Sequence, residues 1–219
     1  MRSFQDLTLN VTHCDRCARL LNYCREVSIE KKKMYQDDNY WGKPVQGFGD
    51  YQAQILVVGL APAAHGANRT GRMFTGDGND GMGSSDFLAS SLYRCGYANQ
   101  PTSRCANDGF VLNGVYLTSI VKCAPPGNKP SKKEIHNCTN HLHLELDLLC
   151  NLKVIIPVGR LSFLQILKVL EERGAGIPKP RPKFSHGSTV NVGEDFPTLI
   201  CSYHPSRLNT QTGRLTSDM

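Results

Sequence analysis

Four segments of the chain are dominated by apolar and β-branched residues, and each is short enough to be a strand. They cover residues 55–60, 115–121, 154–159 and 198–204. The first and third are nearly continuous apolar runs, which are typical of parallel strands covered on both faces. The pattern therefore predicts four strands buried at the centre of the fold.

Helical patterns lie between these strands, at residues 86–94, 132–149 and 161–172. Ser131 and Glu134 form a capping-box pattern at the start of the second, and a further helix is predicted near residues 14–23. Strands that alternate with helices predict an α/β fold, here a three-layer α/β/α sandwich with a central, mainly parallel four-stranded sheet. Ligands of such sheets bind at the carboxyl ends of the strands, where long loops follow the first, second and fourth strands.

Length and composition limit the organisation of the protein. With 219 residues, we expect a single domain over 1–219, with an N-terminal arm of about residues 1–53 ahead of the first strand. No stretch approaches the roughly 20 apolar residues of a membrane span, and residues 1–10 lack the apolar core of a signal peptide. These features predict a cytoplasmic protein that contacts no membrane.

The charge is compatible with a polyanionic partner. The formal net charge is +6 and the isoelectric point is about 8.8, although many basic proteins bind no nucleic acid. The lysine run at residues 31–33 is interpreted as a solvated face, which is the commoner role of such a run.

Nine cysteines in a chain without secretory features favour metal binding or catalysis over disulfides. Cys14 and Cys17 form a CxxC pair, and Cys123 and Cys138 form a wider pair with fourteen residues between them. Four thiolates can hold zinc or a 4Fe–4S cluster, and the spacing leaves both open. The alternative is that Cys123 and Cys138 are ordinary half-buried thiols.

The remaining cysteines are assigned more simply. Cys150 and Cys201 stand in apolar patterns and are predicted to be core residues. Cys95 and Cys105 could pair if the source is a hyperthermophile.

The glycine-rich loop after the first strand, residues 59–86, contains a formal GxGxxG at Gly76, Gly78 and Gly81. A dinucleotide fingerprint requires these glycines in the turn directly after the strand. Here they begin some sixteen residues beyond it, so we reject nucleotide binding. The same loop offers Asp77, a catalytic acid or a turn residue, and Phe74, a stacking platform or a core residue.

The last predicted strand ends at His204, which is followed by a proline and a serine. A lone histidine is usually structural. At the end of a strand that faces a polar loop, however, it is a better candidate for catalysis.

Three motifs together resemble the family 5 uracil-DNA glycosylases, the iron–sulfur branch of that superfamily with broad specificity. They are GLAPAAHGANRTGRMFTGD at 59–77, CAPPGNKP at 123–130 and HPSRLNTQTGRLT at 204–216. The resemblance extends from Cys14 to Thr216. It implies a DNA repair enzyme that hydrolytically excises uracil, hypoxanthine and xanthine and leaves an abasic site.

The resemblance also implies roles for individual residues. His204 would donate a hydrogen bond to the departing base, Asp77 would orient water, and Asn128 would hold that water or read the base edge. The other implied sites are substrate binding by Gly59, Ala63, Phe74 and Leu208, phosphate contacts by Lys129, Arg207 and Arg214, and a 4Fe–4S cluster on Cys14, Cys17, Cys123 and Cys138.

Two departures from the family pattern concern the pocket. Residues 78–83 make the first loop a few residues longer, and Thr118 and Ser119 stand where family 4 relatives carry an asparagine, which weakens any inference of strict uracil selectivity.

The expected partner is double- or single-stranded DNA, bound by a monomer. The rival hypotheses are a non-catalytic iron–sulfur or zinc protein that binds nucleic acid, and a nucleotide hydrolase, which would need more carboxylates.

Overall fold

The computed structural model describes residues 3–77 and 83–219. Its strands form one sheet in the order β1-β3-β2-β4-β6-β5. In chain order they are β1 (Phe48–Gly49), β2 (Ile55–Gly59), β3 (Val115–Ser119), β4 (Val154–Pro157), β5 (Thr189–Val190) and β6 (Thr198–Ile200).

The helices fall between and around these strands. They are α1 (Phe4–Thr12), α2 (Ala18–Glu30), α3 (Ala67–Thr70), α4 (Ser84–Arg94), α5 (Lys132–Leu148), α6 (Arg160–Glu172) and α7 (Arg207–Gln211). Two short 3-10 helices cover Lys33–Tyr35 and Pro126–Asn128. Among the residues described, no helix combines the length and apolar character needed to cross a membrane.

The α/β prediction is confirmed, but the sheet has six strands among the described residues rather than four. The pairs β2–β3, β2–β4 and β4–β6 are parallel, as the apolar runs predicted. The additional strands, β1 and β5, pair antiparallel at the two edges and have only two residues each. A two-residue strand shows no periodicity, so the sequence pattern could not reveal it.

Each face of the sheet carries its own core, which gives the three layers. Successive side chains of a strand point to opposite faces. Accordingly, Leu56 and Val58 pack with Leu20, Leu142 and Phe163 of helices α2, α5 and α6. Val57 packs on the other side with a cluster that includes Ala67 of α3 and Ala89 and Leu92 of α4.

A buried hydrogen-bonded cluster between β3 and α5 consists of Lys122, Glu145 and Thr118. The Lys122 ammonium donates to both carboxylate oxygens of Glu145 at 2.8 Å, and the two side chains are 1% and 0% exposed. Thr118 also donates to Glu145 at 2.8 Å and accepts from Lys122. Thr118 is thus a structural residue that faces the interior.

We expect the stability of the protein to depend on this pair as a unit. Lys122→Met or Glu145→Leu alone leaves an unpaired charge inside the protein and should lower the free energy of unfolding by about 3–5 kcal/mol. The double variant leaves no charge and should lose less than either single variant. Urea unfolding of the three variants measures this, and a double variant that loses the sum of the two single losses would contradict it.

Candidate active site

A cavity of about 600 Å³ opens at the carboxyl ends of the parallel strands. Its walls come from the loop after β2, the loop after β3 and the loop after β6. Five of the residues singled out from the sequence line it together, namely Ala63, Phe74, Asp77, Asn128 and His204, and so does Arg207. Residues far apart in the chain therefore meet at one site, as the position of their loops predicted.

Asp77 is fixed at the start of helix α4. The backbone N–H of Ser85 donates to Asp77 Oδ1 at 2.7 Å, and the N–H of Asp77 donates to the Ser85 hydroxyl at 3.3 Å. The N-terminus of a helix favours a negative charge. At Gly66, a Cβ atom would lie 2.7 Å from Asp77 Cβ, so only glycine leaves room for this carboxylate.

The loop that carries Asp77 is held by two buried arginines. Arg72 donates to the Asp108 carboxylate at 2.7 and 2.9 Å, to Ser103 at 2.9 Å and to Thr75 at 2.9 Å. Arg69 donates to the carbonyl of Gly76 at 2.6 Å, immediately before Asp77. The loop lacks the regular backbone hydrogen bonds of a helix or sheet, and hydrogen bonds from the two guanidinium groups hold it instead.

Phe74 and Asn128 both have left-handed backbones, with φ of 50° and 57°. Such angles are uncommon for residues other than glycine and tend to occur at functional sites. Gly59 does not line the cavity, because it lies against Phe74: a Cβ at Gly59 would be 2.8 Å from the Phe74 ring. Gly59 therefore leaves room for the ring, and its contact with the substrate stays a prediction.

His204 lies four residues after Ile200, the last residue of β6, in an environment that disfavours its protonated form. Burial lowers the pKa of His204, and the negative charge of Asp77 opposes this shift. Near neutral pH the imidazole is therefore neutral, and it can donate through one ring nitrogen without carrying a charge. The backbone carbonyl of His204 accepts a hydrogen bond from the Asn209 side chain at 2.8 Å. This bond connects the segment after β6 to α7.

Of the residues assigned to DNA contact, Arg207 lines the cavity, whereas Leu208, Lys129 and Arg214 lie around it. Leu208 is 73% exposed on α7. Lys129 and Arg214 are exposed and do not line the cavity, and the Arg214 guanidinium lies 4.6 Å from the centre of the Tyr203 ring. These positions are open to a long ligand, and the phosphate contacts stay predictions.

Among the described residues that line the cavity, the sequence analysis missed two with titratable side chains. Lys32, from the run interpreted as a solvated face, lines the cavity, and so does His65. His65 belongs to the loop motif that carried the family resemblance, so its position could have been found there. Nothing in the pattern of three consecutive lysines distinguished Lys32.

The four cysteines predicted as ligands line a second, smaller cavity of about 20 Å³. Cys14 and Cys17 precede α2, Cys123 follows β3, and Cys138 lies in α5. Two N–H groups donate to these sulfurs: the backbone of Lys122 to Cys138 at 3.2 Å, and the side chain of Asn137 to Cys17 at 3.5 Å.

The chemistry of this cavity suits a metal cluster. Four soft thiol donors converge in a largely apolar pocket, and N–H···S bonds of this kind tune iron–sulfur clusters. Burial raises the pKa of Cys138 to about 11, and contact with Cys24, followed by burial, raises the pKa of Cys123, so binding must displace protons. Within the described part of the chain, no three Cys, His, Asp or Glu side chains form a site for a single metal ion.

An ion pair joins the arm to the loop between Cys123 and Cys138. Arg19 of α2 donates to both carboxylate oxygens of Glu134, at 2.8 and 2.6 Å, and to the carbonyl of Lys129 at 3.4 Å. This contact with Arg19 lowers the pKa of Glu134 to about 2. Glu134 also completes the predicted capping box with Ser131, which is confirmed.

The remaining sequence predictions divide. Cys201 is buried as predicted, but Cys150 is exposed, so its assignment to the core was wrong. It follows the end of α5 at the surface. Cys95 and Cys105 are free and exposed. Gly78 and Gly81, and with them most of the longer loop at 78–83, lie outside the described residues.

Comparison with known proteins agrees with this geometry at two levels. The model of the uracil DNA glycosylase superfamily matches residues 46–219, which defines the class. A type-5 uracil-DNA glycosylase from Pyrobaculum aerophilum is 40% identical over 97% of this chain and 87% of its own length. One from Thermus thermophilus is 42% identical over 95% and 90%, whereas a type-4 enzyme from Sulfurisphaera tokodaii is 28% identical over 82% and 70%. The chain therefore belongs to the type-5 uracil-DNA glycosylases.

The electrostatics of the site can be tested by titration. We expect the pKa of His204, followed by NMR of the imidazole, to lie below the usual histidine value of about 6.5. Asp77→Asn should lower it further, because the Asp77 charge favours the imidazolium. Asp195→Asn, at an acid that does not act on His204, serves as the control. A His204 pKa that rises or stays unchanged in Asp77→Asn would show that the two groups do not interact.

Proposed function

We propose that this protein excises uracil, and also hypoxanthine and xanthine, from single- and double-stranded DNA by hydrolysing the N-glycosidic bond. The observation that carries the proposal is the convergence of Asp77, Asn128, His204 and Phe74 in one cavity. A binding protein without chemistry would not need a carboxylate and a neutral imidazole at the same site. The family of the chain supports the same conclusion.

The target base must first leave the DNA stack. The cavity of about 600 Å³ is large enough for a flipped nucleotide, and Phe74 offers a ring on which the base can stack. Small side chains such as Ala63 leave space beside it. Such space, together with Thr118 turned into the protein interior, supports a substrate range beyond uracil.

Bond cleavage leaves negative charge on the departing base and positive charge on the sugar. The neutral His204 can donate a hydrogen bond to the base oxygen where that negative charge develops, without transferring a proton. One such donor in a preorganised site is worth about 3–4 kcal/mol. The low pKa that burial imposes on His204 suits this role.

Water must then attack the sugar carbon. The Asp77 carboxylate, held by Ser85, can orient that water and offset the charge on the sugar. Asn128 carries an amide that can hold the same water or read the base edge. The hydrogen bonds between Asp77 and Ser85 favour a fixed geometry of the carboxylate over an adaptable one.

The surface around the cavity suits the duplex that remains. Leu208, exposed on α7, can fill the space left by the flipped base, which offsets part of the unstacking cost of a few kcal/mol. Arg207 at the cavity, with Lys129 and Arg214 beyond it, can neutralise phosphates.

The chemistry is tested by single-turnover excision of uracil from duplex DNA. His204→Ala should slow the step about 10²–10³-fold, and Asp77→Ala should slow it by at least about 10²-fold with little loss of binding. In the unmodified protein the rate should not change between about pH 7 and pH 8, because His204, whose pKa is lowered by burial, is already neutral there.

Two comparisons make this test specific. A double variant Asp77→Ala/Asn128→Ala that is no slower than the worse single variant would indicate one shared water. Asp195→Ala, at an exposed acid outside the cavity, should retain full activity. Near-native rates for both His204→Ala and Asp77→Ala would refute the assigned roles.

We further propose that Cys14, Cys17, Cys123 and Cys138 hold a 4Fe–4S cluster. The support is the convergence of the four sulfurs in one cavity and the N–H groups that donate to two of them. When bound, the cluster would supply a structural link rather than electrons for the reaction. The residues around it would join α2 of the arm to α5 and to the loop that carries Asn128.

This assignment predicts the metal content of protein that is purified without air. We expect a brown protein with about four iron and four sulfide per chain, and Cys17→Ser should lose both. Cys95→Ser, at an exposed cysteine, and Cys24→Ala, beside Cys123 but outside the ligand set, should both retain iron. A colourless protein with stoichiometric zinc would overturn the assignment.

A further inference from the structure

Three residues that the excision mechanism does not use meet at the active-site cavity. Lys32 and His65 line it, and Tyr40 contacts both. The backbone N–H of Lys32 donates to the Tyr40 hydroxyl at 3.4 Å, and that hydroxyl lies 3.0 Å from His65 Nδ1. The arm of the protein is thereby connected to the loop after β2.

These contacts are satisfied when His65 is protonated on Nε2. Because a backbone N–H only donates, the Tyr40 oxygen accepts there, and its own proton is available to His65 Nδ1. Burial, followed by the charges of Lys32 and Arg69, lowers the pKa of His65, so the ring is neutral near pH 7. A neutral ring that accepts at Nδ1 carries its proton on Nε2. His65 is thus a neutral hydrogen-bond donor.

Lys32 is distinguished from its two neighbours by the backbone. Lys31, the last residue of the turn out of α2, has φ 49° and ψ 164°, a conformation that residues with side chains rarely adopt. The Lys31 ammonium donates to the Gln36 carbonyl at 3.0 Å, and Lys33 begins a 3-10 helix. Of the three lysines, only Lys32 lines the cavity, and it takes part in none of the ion pairs among the described residues.

The segment that follows Lys32 is firmly attached to the β2 loop. The backbone N–H of Trp41 donates to the Arg69 carbonyl at 2.9 Å, and that of Gly42 donates to the Asn68 carbonyl at 3.0 Å. Asp38 pairs with the Arg69 guanidinium at 2.5 Å. The segment next to Lys32 is therefore held by Arg69, which also contacts the backbone immediately before Asp77.

A cation and a neutral N–H donor that line the same cavity are complementary to a phosphate group. The cavity volume of about 600 Å³ lies in the range of about 300–1,000 Å³ that accepts whole small ligands, which is more than a base alone requires. We propose that Lys32 and His65 bind a backbone phosphate of the DNA strand that carries the flipped nucleotide, and that Tyr40 is a positioning residue for His65. This proposal rests on the proposed function, because it takes DNA as the ligand.

Binding and excision are measured separately, so that the two proposals can fail independently. Binding uses the full-length protein and a duplex with a stable abasic-site analogue, which needs no excision, over a range of salt concentrations. Lys32→Ala should reduce the slope of log K against log salt by about 1, the value for one phosphate contact. Lys33→Ala, in the same lysine run but outside the cavity, should leave the slope unchanged.

The outcomes are distinct. A slope for Lys32→Ala equal to that of Lys33→Ala overturns the phosphate site even if the unmodified protein excises uracil. A reduced slope in Lys32→Ala alone supports the site, whatever the excision assay shows. If the unmodified protein releases no base from a uracil duplex, it is the excision proposal that fails.

The hydrogen-bond part of the site is tested with uncharged substitutions in the same binding assay. His65→Gln keeps an N–H donor and should bind more tightly than His65→Leu, and neither should change the salt slope. Tyr40→Phe should weaken DNA binding when it is the only substitution. In the His65→Leu background it should cause no further loss of affinity. Equal losses in both backgrounds, at unchanged melting temperature, would mean that Tyr40 does not act through His65 and would overturn its positioning role.

Discussion

Two buried arginines determine the shape of the loop that carries most of the active site. Arg69 and Arg72 are 8% and 6% exposed, and a buried guanidinium is tolerated only when its donors find acceptors. Their acceptors include the Asp108 carboxylate and the carbonyl of Gly76. The loop is therefore restricted to conformations that satisfy these donors, and this restriction sustains the left-handed backbone of Phe74. The sheet determines where the strands end, and the two arginines fix the conformation of the loop that follows β2.

The fold was largely predictable because its main elements have strong local signals. Apolar runs identified the four parallel strands, and the capping box of Ser131 and Glu134 identified the start of α5. The edge strands were missed because two residues carry no period. Helix α1 was missed as well, although Leu7 and Val11, four residues apart, form its buried stripe. Short elements are held by tertiary contacts that a local pattern does not contain.

The position of a residue at the cavity was predictable where it follows from its place after a strand, as for Asp77 and His204. It was not predictable where the backbone conformation determines which side chain reaches the cavity. Lys32 differs from its neighbours only through the unusual turn at Lys31, which no composition reveals. The close approach of the Phe74 ring to Gly59 likewise depends on the backbone and could not be predicted from the sequence pattern.

The cysteine site and the active site are connected through two segments of the chain. Helix α2 begins directly after Cys17 and ends at the turn that leads to Lys32, about 20 Å away at the usual helical rise. Asn128 lies on the segment between Cys123 and Cys138. A cluster that fixed the four sulfurs would thus fix the far ends of both segments, one on each approach to the cavity. Each segment contains one non-glycine residue with a left-handed backbone, Lys31 after α2 and Asn128 ahead of α5. The proposed cluster, remote from the bond that breaks, would therefore act by positioning these segments alone.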